Sequence, residues 1–289
     1  MFSTLTLPDG RTLEYADLGD PAGKPVVFHP GTPATAGQGL VIADAASRHG
    51  VRLIAVSRPG YGASTMSAPS LRAAAADTLE LADLLGLERF AVLGASGGGP
   101  FALAVAAAAP DRLGFVAAHA SPGEYGVVKP EIIGDGDRRA LALLAEGKPD
   151  EAVQVMNEVA DADLAGLRGL SEAEFSAALA KMAPPGPSWL DEHPALKQAF
   201  EADFQRAVLT SDGMTYDNLC WLGPWDIDLG AITLPVRLVY GEDDRMSEIA
   251  HGEWLHERLP DSELVVIPGG HGHVTFGAAA DTFSALSAE

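Results

Sequence analysis

One cysteine, Cys220, stands alone in a chain of 289 residues. It has no internal partner for a disulfide, so oxidation adds nothing to the fold and a reducing compartment fits. Beside Trp221 it reads as a small buried apolar residue. Cations are scarce as well: 19 Lys and Arg stand against 40 Asp and Glu, a formal net charge of -21. The longest basic run is the pair Arg138 and Arg139, which excludes a nucleic-acid partner, because phosphate contacts need clustered cations. The acidic bias speaks for solubility and weak repulsion of anions.

No apolar run is long enough to span a bilayer; "FALAVAAAA" stops at Pro110. The opening "MFSTLTLPDG" shows no basic region followed by a long apolar segment, so no secretory signal is visible. A soluble, cytoplasmic protein with no membrane partner is expected. His49, His119, His193, His251 and His256 lack ligand-pair spacing, and no H-E-x-x-H or Cys/His cluster occurs. Neither a metal nor a cofactor is expected.

What is present is 47% hydrophobic residues, enough for a sizeable core. Asp9-Gly10 suits a tight hairpin between two β-prone segments. Short continuous apolar runs follow near 25–29, 52–57, 90–95 and 114–120, as in strands buried on both faces. They alternate with helical stretches such as "LRAAAADTLELADLLG", which implies a mostly parallel sheet covered by helices on both sides. From 125 to 225 the text is helical and amphipathic, with a break at "APPGPSW", 183–189. Strand patterns resume at 234–241 and 262–269. The expected organisation is an α/β core over 1–124 and 226–289 with a helical insertion over 125–225.

"VLGASGGGPF", 92–101, holds a G-x-S-x-G sequence between an apolar strand and an apolar helix. A serine at such a turn is held in a strained backbone conformation, with small neighbours so that helix and strand can approach. A phosphate loop would need G-K-S/T or G-x-G-x-x-G, and neither is there. Ser96 is therefore a candidate nucleophile, which requires a base and an acid to orient the base. One strand end offers Glu242, Asp243 and Asp244, the next His271 and His273.

Nearly the whole chain resembles the α/β-hydrolase superfamily in its capped, serine-nucleophile form. The resemblance implies an eight-stranded, mostly parallel sheet flanked by helices, with residues 125–225 as a helical cap. Its G-x-x-D pattern falls on Gly241–Asp244 and makes Asp244 the acid, with Asp243 the competitor. Its Gly-His-apolar pattern fits "GHVTF", 272–276, and makes His273 the base, leaving His271 as a lid-side or structural histidine. The oxyanion donors become the N–H groups of Gly97 and of Thr32 in "FHPGTPA". There the chain departs from the usual His-Gly-x, with Pro30 where the histidine often lies and His29 one step earlier. "SRPGYGAST", 57–65, is similar to D-x-x-G-x-G-x-S with Ser57 in place of Asp, and supports the fold.

Trp189, Phe200, Phe204, Met214, Trp221 and Trp225 in the cap either pack or line an apolar acyl or alcohol pocket. His29, Trp189, Trp221 and Trp225 are the candidate substrate contacts. The expected function is that of a cofactor-independent serine hydrolase acting on an ester, lactone, thioester or related acyl compound of a small, largely apolar substrate. The same residues would serve a proline iminopeptidase-type amide or peptide hydrolase, or a C–C bond hydrolase. Ser96 disfavours the dehalogenases and epoxide hydrolases that use an aspartate nucleophile. A non-catalytic ligand receptor would have no chemical need for all three groups. The expected partner is a small-molecule substrate, with a homodimer allowed.

Overall fold

The computed structural model describes residues 2–131, 133–182 and 188–288. Eight strands form one sheet: β1 Phe2–Thr6, β2 Thr12–Gly19, β3 Lys24–His29, β4 Val51–Ser57, β5 Phe90–Ala95, β6 Leu113–His119, β7 Val236–Gly241 and β8 Ser262–Ile267. Their spatial order is β1-β2-β4-β3-β5-β6-β7-β8. The first two strands pair antiparallel around Asp9-Gly10, with Gly10 at a φ of 88°, and β2 is antiparallel to β4. Every later pairing is parallel, as the continuous apolar runs predict.

The two-residue period of a strand sends alternate side chains to opposite faces, and each face has its own core. Val27, Ile54, Val56, Val92, Val116 and Leu238 face one cluster, which takes in Leu71–Ala82 and Phe101–Ala106. These belong to helices α2 (Leu71–Leu84) and α3 (Gly99–Ala108). Val26, Phe28, Leu53, Ala55, Leu93 and Ala117 face the other, which includes Ala46, Ala279, Phe283 and Leu286. There lie α1 (Ala43–Arg48) and the C-terminal helix Ala279–Ala288. The first eight residues of α3 are buried whatever direction they face. A helix apolar all round has to be an interior one, and α3 runs directly from the serine turn.

Between β6 and β7 lie helices α4 Tyr125–Val128, α5 Asp135–Ala145, α6 Pro149–Leu164, α7 Glu172–Met182, α8 Pro194–Ala207 and α9 Asp212–Trp221. Of the break expected at 183–189, only Ser188 and Trp189 are among the described residues. Helices α5 and α6 share an apolar cluster with Leu219 and Leu222. Phe175, Leu164 and Val208 make another between α6, α7 and the end of α8. Among the described residues, no helix is long and apolar enough to cross a membrane.

Candidate active site

Strand β5 is buried along its whole length and ends at Ala95, directly before Ser96. Ser96 is one of two non-glycine residues described at positive φ, 50°. Such a conformation is costly for a side-chain-bearing residue and persists only where the surroundings enforce it. The enforcement comes from the next residues. A Cβ on Gly98 would run into the backbone carbonyls of His29 and Pro30, and one on Gly97 into the side chain of Thr32. The turn and the loop after β3 therefore touch at a distance only glycine permits.

The Ser96 hydroxyl lies 3.0 Å from His271 Nε2, and His271 Nδ1 lies 2.8 Å from Asp244 Oδ2. A carboxylate only accepts, so Nδ1 carries the proton and Nε2 is left to accept from the serine hydroxyl. Asp244 Oδ1 accepts from the backbone N–H groups of Met246 and Ser247, at 2.8 and 3.0 Å. Burial pushes the Asp244 carboxyl up, but the His271 hydrogen bond and charge together with those N–H groups outweigh it and hold the group below its usual range. Asp243 points to solvent.

The histidine that joins this chain of hydrogen bonds is His271, and the expectation of His273 is overturned. The reason lies in the local backbone. Helical geometry begins at His271, directly after the Gly269–Gly270 turn, and passes into a π-turn over His273–Gly277. The Thr275 hydroxyl donates to the His271 carbonyl at 2.8 Å. Residues two apart in a helical turn point some 200° away from each other, so only one of the two histidines can face the serine. The ring of His273 packs instead against Gly269, at a φ of 108°.

The loop after β3 brings Gly31 against Ser96; a Cβ on Gly31 would sit 3.5 Å from that of the serine. The Gly31 N–H donates to Gln38 Oε1 at 2.6 Å. Among the described residues, the Thr32 N–H has no acceptor within the protein. Thr32 thus lies against Gly97, the residue after the serine.

The sequence profile of the α/β hydrolase fold matches residues 24–277. The chain belongs to the α/β hydrolase fold family.

Similar proteins include a non-heme chloroperoxidase of Streptomyces lividans, 38% identical over 117 residues, which is 38% of this chain and 41% of that one. A putative carbamate hydrolase RutD of Caulobacter sp. (strain K31) is 29% identical over 217 residues, 74% of this chain and 70% of its own length. The chain thus spans about two fifths of the first relative and about two thirds of the second. Among solved structures, a thermophilic esterase from Thermogutta terrifontis superposes with a TM-score of 0.66 at 21% identity, covering 99% of this chain and 96% of that one.

Within this α/β hydrolase the four candidate substrate contacts have structural surroundings. His29 is 1% exposed beneath the loop, with neither ring nitrogen hydrogen-bonded. Burial, with help from the nearby Arg58 charge, lowers its pKa to about 3, so it is a neutral ring packed on Phe101 and out of a substrate's reach. Trp189 stacks on His193 at 4.0 Å and packs against Gly272 and Gly277 of the histidine turn. Trp225 packs edge-on against Trp254 and donates to the Trp221 carbonyl at 3.1 Å. Trp221 packs against Tyr125, 4.8 Å between ring centres. Among the described residues, no cluster of His, Cys, Asp and Glu could hold a metal ion.

Two residues passed over in the sequence complete the surroundings. Arg58, from the "SRPGYGAST" segment, and Asp217, from α9, form a fully buried ion pair, Nη2 to Oδ2 at 2.5 Å and Nε to Oδ1 at 2.7 Å. Ser57, where the family often has Asp, donates to Glu14 at 2.6 Å and accepts from the Ala36 N–H at 2.8 Å. The carboxylate is thus supplied from β2 instead. The only signal for Arg58 was a cation at the end of a central, buried strand.

Proposed function

We propose that this chain is a serine hydrolase that cleaves carboxylic esters of small, largely apolar substrates. The observation that carries the reading is the unbroken chain from Ser96 Oγ through His271 to Asp244, with bonds of 3.0 and 2.8 Å. In this reading His271 Nε2 takes the Ser96 proton as Oγ attacks the ester carbonyl, and Asp244 holds the tautomer and stabilises the imidazolium. The N–H groups of Gly97 and Thr32 donate to the oxyanion of the tetrahedral intermediate. His271 then passes its proton to the departing alcohol, leaving an acyl group on Ser96. Water, deprotonated by the same nitrogen, releases the acid and restores the serine.

The helices between β6 and β7 act as a cap in this reading, and the net charge of -21 favours a substrate without negative charge. A fluorophosphonate probe tests the chemistry: labelling is expected on the native protein and absent from Ser96→Ala. A panel of p-nitrophenyl esters of increasing acyl length, run beside amino-acid amides, tests the substrate class. An unlabelled native protein, or faster turnover of amides than of esters, contradicts the reading.

A further inference from the structure

The Arg58–Asp217 pair is hard to explain by stability. Removing two charges from water costs several kcal/mol per ion, and apolar residues of like volume often serve the fold as well or better. What distinguishes this pair is where its other hydrogen bonds go. Arg58 Nη1 donates to the Pro30 carbonyl at 2.6 Å, and Nη2 to the Gly31 carbonyl at 2.8 Å. The Thr32 hydroxyl donates to Asp217 Oδ2 at 2.5 Å, and the Tyr61 hydroxyl reaches the same oxygen at 3.0 Å. Three consecutive loop residues are therefore tied to one buried ion pair.

The Gly31 carbonyl and the Thr32 N–H belong to one planar peptide unit. This bond is not among the cis peptides of the described chain, so the two groups point in opposite directions. With the carbonyl oxygen drawn to the guanidinium, the Thr32 N–H must face away from Arg58. Gly31, packed on Ser96, lies on that side.

We infer that Arg58 and Asp217 are positioning residues that aim the Thr32 N–H at the oxyanion formed on the Ser96 substrate, making α9 of the inserted helices part of the oxyanion site. The inference rests on the proposal that Ser96 is the nucleophile. Arg58 can make this arrangement because its planar fork presents several donors in fixed directions, whereas a lysine ammonium offers no such fork.

The test compares the native protein with Arg58→Lys and Asp217→Asn, each first checked for cooperative unfolding. A misaimed donor matters only when charge develops on the carbonyl oxygen, so kcat is expected to fall about 10- to 100-fold while KM stays within about twofold. Affinity for an alkyl boronic acid, which forms a tetrahedral adduct on the serine, is expected to fall in step with kcat/KM. A structural role alone would lower thermal stability and leave kcat and boronate affinity near native in the folded variant. A native-like kcat in folded Arg58→Lys overturns the inference, as does a rise in KM at unchanged kcat. If Arg58→Lys does not fold, Asp217→Asn decides: it leaves the guanidinium without its carboxylate partner, so a native-like kcat in folded Asp217→Asn overturns the inference. Loss of fluorophosphonate labelling in the native protein would instead bring down the serine hydrolase reading itself.

Discussion

His271 and His273 differ by two positions, and the whole assignment of the base turns on that interval. Replacement of His271 by Ala is expected to lower ester turnover by about 10³- to 10⁶-fold, while His273→Ala leaves it within about tenfold, as steady-state kinetics on one p-nitrophenyl ester will show. The reverse ranking would return the role to His273. At Gly98 the neighbours are backbone carbonyls, which cannot swing aside as a side chain can. Gly98→Ala should accordingly destabilise the protein by about 3 kcal/mol, at the upper end of overpacking costs, measured by urea unfolding. Ser96 and Asp244, which the structure joins through His271, were legible because strand ends and tight turns leave marks in local sequence. The histidine was not, since two local patterns competed and only the onset of helical geometry after Gly270 separates them.

Helix α8 carries a carboxyl with an unusual titration. Asp203 accepts from the Thr35 N–H at 3.1 Å and from the Thr35 hydroxyl, with Arg206 and Glu14 the charged groups beside it. Burial raises its pKa to about 7, against the lowering by the Thr35 hydrogen bonds and Arg206. A raised carboxyl pKa means that the folded state keeps a proton the unfolded chain releases at about pH 4. The contribution of Asp203 to stability is therefore greatest below pH 4, declines as pH rises to about 7, and is constant beyond. Asp203→Asn should flatten the dependence of unfolding free energy on pH between about 4 and 7; a slope equal to that of the native protein would contradict this. The strands and α3 could be read from apolar runs, because burial on both faces shows in the sequence. The polar contacts of Asp203 on α8 and Asp217 on α9 could not, for their partners lie 168 and 159 positions away.

The molecule as a whole carries a net charge of -21, and self-repulsion of that size works against a compact state. Raising NaCl from about 10 mM to about 200 mM shortens the reach of these repulsions to under 10 Å. The thermal midpoint is expected to rise by a few degrees, and a midpoint that falls would mean that the ion pairs outweigh the repulsion. The same field disfavours anionic substrates, so kcat/KM for an ester bearing a carboxylate should lie below that of its neutral analogue, and the gap should narrow with salt.

The sheet order was legible as a class from the alternation of elements, and β3 and β5 lie side by side at its centre. That adjacency lets the loops carrying Thr32 and Ser96 meet. The partner of Arg58, by contrast, is contributed by α9, and this bears on how freely such helices can be exchanged between relatives. A chimera that imports a foreign segment between β6 and β7 must bring a carboxylate to the place of Asp217. Without it a guanidinium is stranded in the interior, and the graft fails in the recipient half of the molecule, away from the grafted residues.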